Sequence, residues 1–244
     1  MNREQMSLIA HADHPIAAPL HDESVAALLD RAVGREDGRL LDLGCGSGEW
    51  LLRALVRFPR LRAVGVDLSG AALAEARTRA ERLGVGDRLT LHEQDAGEFS
   101  DPDGFDLVLC VGAAHAFDGL PGTLAATAKH LAPGGRLLVG DGYFELEPNE
   151  EAKEMLGDSG DLPTVMRQVA DAGLVAVHGH LSTRRELDAY EWAWTGSLAS
   201  WALDHPGDPS APLALETSAR HREEWLGVYR SSWGFVTLVL RPLP

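Results

Sequence analysis

The sequence predicts an α/β fold built on a doubly wound, mainly parallel seven-stranded sheet, and three observations predict it. Between residues 24 and 140, short apolar runs alternate with amphipathic helical patterns. The apolar runs lack the strict in-out alternation of half-exposed strands, which suits strands covered by helices on both faces. Glycines gather where the first such run passes into a helix, at Gly44, Gly46 and Gly48.

The elements follow in order. Residues 24–33 place Val25, Leu28, Leu29 and Ala32 on one helical face behind Ser24 as an N-cap, and a turn from Gly34 to Gly38 follows. Residues 39–43 (RLLDL) form a first strand, and the loop Gly44-Cys45-Gly46-Ser47-Gly48 leads directly into a helix at 49–56. The cycle repeats as a strand at 63–67, a helix at 71–83 capped by Ser69, and strands at 88–92 and 105–111. A helix at 121–131 is expected to stop at Pro133-Gly134-Gly135, ahead of a buried strand at 136–140.

Beyond this point the pattern is less regular. An acidic stretch at 145–161 precedes a helix near 162–172 and a strand near 174–181. Two helical patterns at 186–230 flank a loop at 205–212, and Trp192, Trp194, Trp201 and Trp225 crowd into them before a closing strand at 234–240. The expected organisation is a single domain over 1–244: an N-terminal helical cap (1–35), a ligand-binding core (36–182), a helical lid insertion (183–231) and the last strand (232–244).

Bulk properties narrow the partners. A formal net charge of -15 repels phosphate backbones and anionic membranes, and lysine occurs only at Lys129 and Lys153, so a small molecule is expected rather than nucleic acid or membrane. The longest apolar candidate, residues 107–114, falls far short of the ~20 residues of a membrane helix and is broken by Gly112. The first twenty residues lack a cationic start and a sustained apolar stretch, and the two cysteines, Cys45 and Cys110, fall inside predicted core elements. A cytoplasmic chain, monomer or homodimer, is the expectation.

In a doubly wound sheet, ligands bind beyond the carboxyl ends of the strands where strand order reverses, beside the first strand. The glycine loop lies there. Its spacing, G-x-G-x-G, departs from the dinucleotide fingerprint, which requires glycine where Glu49 stands, and no Gly-Lys-Ser/Thr ending makes it a P-loop. Asp67 ends the second strand at the distance where such folds place a carboxylate on ribose hydroxyls.

Five segments in order, LLDLGCGSGEW (40–50), VGVDLSG (64–70), Asp95-Ala96, FDLVLCVGAAHAF (105–117) and LAPGGRLLVGDGYF (131–144), resemble the motifs of class I SAM-dependent methyltransferases, which are Rossmann-like. The resemblance implies SAM as cofactor and a role for each position. The backbone at Gly44, Cys45 and Gly46 would lie beside the methionine moiety, with Asp42 helping to hold its amino group. Asp67 would bind the ribose, Leu68 would lie against adenine, Asp95 and Ala96 at the adenine edge, and Val111 at the end of the fourth strand would complete the wall. His14-Pro15-Ile16, the GAAHAFDG segment and Tyr190-Glu191-Trp192 resemble a bacterial subgroup of small-molecule or uncharacterised members.

The resemblance implies methyl transfer to an oxygen, nitrogen or carbon of a small molecule. Non-methyl SAM chemistry and a non-catalytic SAM-binding scaffold are the alternatives. His115, past the fourth strand, is the first candidate base, equally readable as a packing residue. Asp141 and Tyr143, after the fifth strand, are candidates to orient an acceptor, against a plain hydrogen-bonded turn. His14 and Trp192 are expected at the acceptor. His178 with His180, and His11 with His14, share faces by period, yet the fourth strand ends without the carboxylate of a divalent-metal site, so no metal is expected.

Overall fold

The protein is described by a computed structural model covering residues 1–157 and 159–243. Among these residues, seven strands form one sheet: β1 (Arg39–Leu43), β2 (Arg62–Asp67), β3 (Leu89–Glu93), β4 (Phe105–Val111), β5 (Leu131–Phe144), β6 (Leu174–Leu181) and β7 (Trp233–Pro242). Their order is β3-β2-β1-β4-β5-β7-β6, parallel throughout except that β7 runs antiparallel to both neighbours. The doubly wound sheet expected from the sequence is therefore the fold observed.

Double-sided burial explains the apolar runs. Leu40, Leu107, Leu109 and Leu138 face one core, packed by α2 (Asp22–Ala32), α3 (Glu49–Arg57) and α4 (Gly70–Arg82). Their neighbours Leu41, Val108, Cys110 and Val139 face the other, packed by α5 (Leu120–Ala128) and α7 (Leu162–Asp171). Ser69 caps α4 as expected, its hydroxyl accepting from the Ala72 N–H at 3.2 Å.

Three local expectations are corrected. Ser24 is not the cap of α2; that position falls to His21, whose side chain makes no capping bond. Pro133-Gly134-Gly135 does not stop a helix, because α5 ends at Ala128 and β5 has already begun. Strand pairing there jumps from Phe105–Leu131 to Leu107–Arg136, so the Pro-Gly-Gly segment is an irregularity inside the strand. His11 and His14 do not share a helical face, since α1 (Arg3–Ala10) ends before them. The acidic stretch also holds a short helix, α6 (Glu150–Leu156), that apolar periodicity did not announce.

The insertion is a helical pair, α8 (Arg184–Asp204) and α9 (Ala211–Glu224), followed by a π-turn at Trp225–Tyr229. Ala10, Leu198, Ala202 and Ala214 form a separate core between α1, α8 and α9, with Trp194 and Trp201 packed against it. Trp225 is 2% exposed and belongs to another cluster with Phe144 and Ala152. These tryptophans thus serve helix packing.

Glu186, in the first turn of α8, ties the insertion to the N-terminal region. Its Oε1 accepts from the His21 N–H (3.1 Å) and the Ser24 hydroxyl (2.6 Å), and its Oε2 from the Thr183 N–H (2.8 Å), with His180 Nε2 at 3.2 Å. It thereby takes up an orphan donor at the start of α2 that no local side chain caps. Burial alone would raise its carboxyl pKa; bonds from Ser24, Thr183 and His21 outweigh this and bring it to about 2.

Because this folded value lies below the unfolded one, the stabilisation is complete above the ordinary carboxylate range and disappears as pH falls toward 2. Glu186→Gln is expected to lower stability by ~3 kcal/mol near neutral pH, with wild-type and variant denaturation midpoints converging as the solution is acidified. A constant difference across that range would contradict the assignment.

Candidate functional site

Strand order reverses between β1 and β4, and the glycine loop turns there into α3. The Gly44 and Cys45 N–H groups donate to the Val66 carbonyl at 2.9 and 3.1 Å, pinning the loop to β2. Gly44 has φ 78 and a Cβ there would stand 2.6 Å from the Ala113 methyl, so only glycine fits. Gly46 has φ 51, and a Cβ built on it meets nothing within 4 Å: the space above the loop is open.

Asp67 at the end of β2 holds the same loop. Its Oδ2 accepts from the Gly46 N–H and its Oδ1 from the Ser69 N–H, both at 2.8 Å. One carboxylate therefore fixes the turn before α4 and the apex of the glycine loop, keeping further lone pairs for a ligand. The neighbouring Leu68 is 68% exposed, an apolar side chain largely open to solvent.

Asp42, one residue before the end of β1, is 3% exposed and has no hydrogen-bond partner among the described residues. Burial, reinforced by the negative charge of Asp67, pushes its carboxyl up to about 8. Asp42, Gly44, Cys45, Gly46 and Val111 line one narrow cleft of ≈ 50 Å³, and its opposite wall is Pro15 and Ala17 of the segment between α1 and α2. That segment crosses β4 closely: a Cβ at Gly112 would lie 2.7 Å from the Ala17 carbonyl oxygen.

The other expected residues are distributed as follows. Asp95 is exposed, its Oδ1 accepting from the Gly97 N–H at 2.7 Å, while Ala96 is 7% exposed and anchors this turn in the core. The Cys45 thiol is buried and burial holds its pKa well above the usual range, so it is a wall and not a nucleophile. His115 is exposed on a short turn at Ala114–Phe117. Asp141 is half-buried, accepts from the Gly142 N–H at 2.8 Å, and is raised by burial against the opposing influence of His115.

Tyr143 stands apart from this group. It is 3% exposed within the apolar core, donates to Glu145 at 3.2 Å, and its pKa is pushed up to about 12, first by burial. Trp192 does not join the cleft either; it is 52% exposed, edge-on to Trp225 and beneath Arg222. His14 sits on the crossing segment beside Pro15, its Nδ1 2.7 Å from the Ile16 carbonyl and its ring edge-on to Tyr190.

Sequence reading expected the N-terminal segment, Pro15 included, as a cap over the site, but assigned no site role to Ala17, Glu49 or Tyr190. Pro15 and Ala17 carry no periodic signal, because they form a wall only through the path of the segment. Glu49 lines the cleft while 7% exposed, paired with Arg53 at 2.7 Å and with Arg79. Tyr190, not Trp192, is the part of its motif that meets the N-terminal segment, through His11 (3.1 Å) and His14. A wider groove of ≈ 420 Å³ between α2, α3 and α4 shares only Glu49 with the cleft.

Comparison with known proteins agrees with this geometry. Residues 41–137 match the family model described as a methyltransferase domain. An uncharacterised protein of Escherichia coli, YjhP, is 30% identical over an alignment covering 99% of this chain and 100% of that protein. A crystal structure of a SAM-dependent methyltransferase from Geobacter sulfurreducens in complex with S-adenosyl-L-homocysteine superposes with TM-score 0.89, at 28% identity and 98% coverage of both chains. A 27-O-demethylrifamycin SV methyltransferase of Amycolatopsis mediterranei is 33% identical over 54% of this chain and 50% of its own length.

Asp42 makes a stability prediction. Its folded value lies above the unfolded one, so the penalty for its charge is absent in acid and grows as pH rises toward 8. Asp42→Asn is expected to stabilise the unliganded protein near neutral pH by on the order of 2 kcal/mol, an advantage that thermal melts would see vanish in acid.

Proposed function

Because the chain belongs to the class I SAM-dependent methyltransferases, we propose that it transfers the methyl group of SAM to an oxygen, nitrogen or carbon atom of a small-molecule acceptor. It is an enzyme, and its cofactor is SAM. The observation that carries the reading is Asp42: a buried, unpartnered carboxylate in a cleft whose glycine loop leaves open space above Gly46. A ligand with a positive charge and N–H donors meets both features, and the ammonium group of SAM has them.

When bound, SAM supplies a methyl carbon activated by a positively charged sulfur. The residues of the chain bind and orient. Asp42 would pair with the ammonium group, Asp67 would accept from the ribose hydroxyls while continuing to hold Gly46, and exposed Leu68 would lie against adenine. The Oδ2 of Asp95 would accept from the adenine amine while its Oδ1 keeps the Gly97 turn closed. Pro15 and Ala17 would wall the bound ligand across from the loop, and orientation by such contacts is worth up to ~7–11 kcal/mol of barrier.

Several observations support a small acceptor. The net charge of -15 disfavours nucleic acid, and the crossing segment leaves a narrow approach. The partial match to a rifamycin methyltransferase agrees with a small organic acceptor. No helix is long and apolar enough to cross a membrane among the described residues, and the free, buried Cys45 and Cys110 suit the reducing cytoplasm.

Calorimetry tests the cofactor arrangement. Asp67→Ala is expected to weaken SAM binding by ~1.5–3 kcal/mol, and an unchanged affinity would refute its ribose role. SAM affinity should also rise with pH until Asp42 is ionised, near 8, with proton release on binding; Asp42→Asn should bind more weakly and lose this dependence. Binding by the wild type that ignores pH would remove Asp42 from the ammonium site.

A further inference from the structure

We propose that His14 is the catalytic base of this enzyme, with Nε2 as the proton-accepting atom, an assignment that rests on the methyl-transfer reading above. The sequence contains ten histidines, and the surroundings of six of them, His11, His14, His115, His180, His205 and His221, bear on the choice. His11 has both nitrogens engaged, Nδ1 on the Ser7 carbonyl at 2.8 Å and Nε2 on the Tyr190 hydroxyl at 3.1 Å. His180 and His221 are held by the carboxylates of Glu186 and Glu191. His205 is bound to the Trp201 carbonyl at the end of α8. His115 is exposed with no hydrogen-bond partner among the described residues, so nothing fixes its ring.

Among these six, His14 alone combines a fixed tautomer with a place on the segment whose following residues wall the cofactor cleft. A carbonyl oxygen only accepts, so the 2.7 Å contact with Ile16 puts the proton on Nδ1 and leaves the lone pair on Nε2. Nε2 has no hydrogen-bond partner among the described residues. Tyr190 packs edge-on at 5.5 Å and 89°, holding the ring plane, and acts as a positioning residue. The next residues along the segment, Pro15 and Ala17, are the wall facing Asp42, Gly46 and Val111.

The step balances. Nε2 takes the proton of the acceptor's O–H, N–H or C–H, the acceptor atom bonds to the methyl carbon, and the breaking carbon–sulfur bond leaves its electron pair on sulfur. A base placed in this way contributes ~10²–10⁴-fold.

An acceptor-independent experiment reads the position. An analogue of SAM with an aziridine nitrogen in place of the sulfonium alkylates a nucleophile next to the methyl position. Nε2 bonds to a ring carbon, the ring carbon–nitrogen bond breaks, and that nitrogen keeps the pair and takes a proton from water. Peptide mass mapping is expected to find the adduct on His14, suppressed by S-adenosylhomocysteine and absent in His14→Gln. An analogue that binds, as judged by its displacement with S-adenosylhomocysteine, but labels His115, another residue or nothing overturns the proposal. Failure of SAM and the analogue to bind at all would instead strike the cofactor reading beneath it. Imidazole ¹⁵N NMR of the unmodified protein gives a second reading: the Nδ1–H tautomer is expected for His14, and an Nε2–H tautomer overturns the assignment.

Discussion

One carboxylate organises the part of the molecule that lies over the sheet. Glu186 gathers donors from the start of α2, from the turn before α8 and from β6, so two regions more than 160 residues apart in sequence meet on two oxygen atoms. The segment before α2 is thereby fixed at one end. At its other end the Asp13 carboxylate accepts from the Ser197 hydroxyl at 2.9 Å, and His11 meets Tyr190 on the same helix. Residues 14–18 are stretched between these two attachments, which is why they cross β4 where they do.

The cofactor cleft beneath is electrostatically unfinished. Asp42 and Asp67 repel, and only Asp67 has protein donors to offset its charge. A fold optimised for stability alone would place an apolar side chain at position 42, as it does at Leu40, Leu41 and Leu43. The carboxylate is retained at a cost that a cationic ligand offsets, so binding and folding oppose each other at this one residue.

Much of this was legible in the sequence because it is local. Strands such as Arg39–Leu43 and Leu174–Leu181 announce themselves by composition, and the glycine loop with Asp67 by spacing. The cap of α2 was not, since its acceptor is Glu186, over 160 residues away, and no local pattern can encode such a partner. Nor was the break in α5, where the irregular start of β5 claims Leu131 before the Pro-Gly-Gly segment is reached. Tyr143 and Trp192 show the same limit from the other side: both lie near motif residues in sequence, but packing turns one into the core and the other toward Arg222.

The close approach of the Ala17 carbonyl to Gly112 ties the segment over the cleft to the end of β4. A side chain at position 112 is barred both by φ 74 and by the crossing backbone, and the second restriction belongs to the segment over the cleft, not to any ligand. A side chain at position 112 would therefore require the covering segment itself to move. Position 112, one residue past the end of β4, thus sets how near the covering segment can come to the cleft.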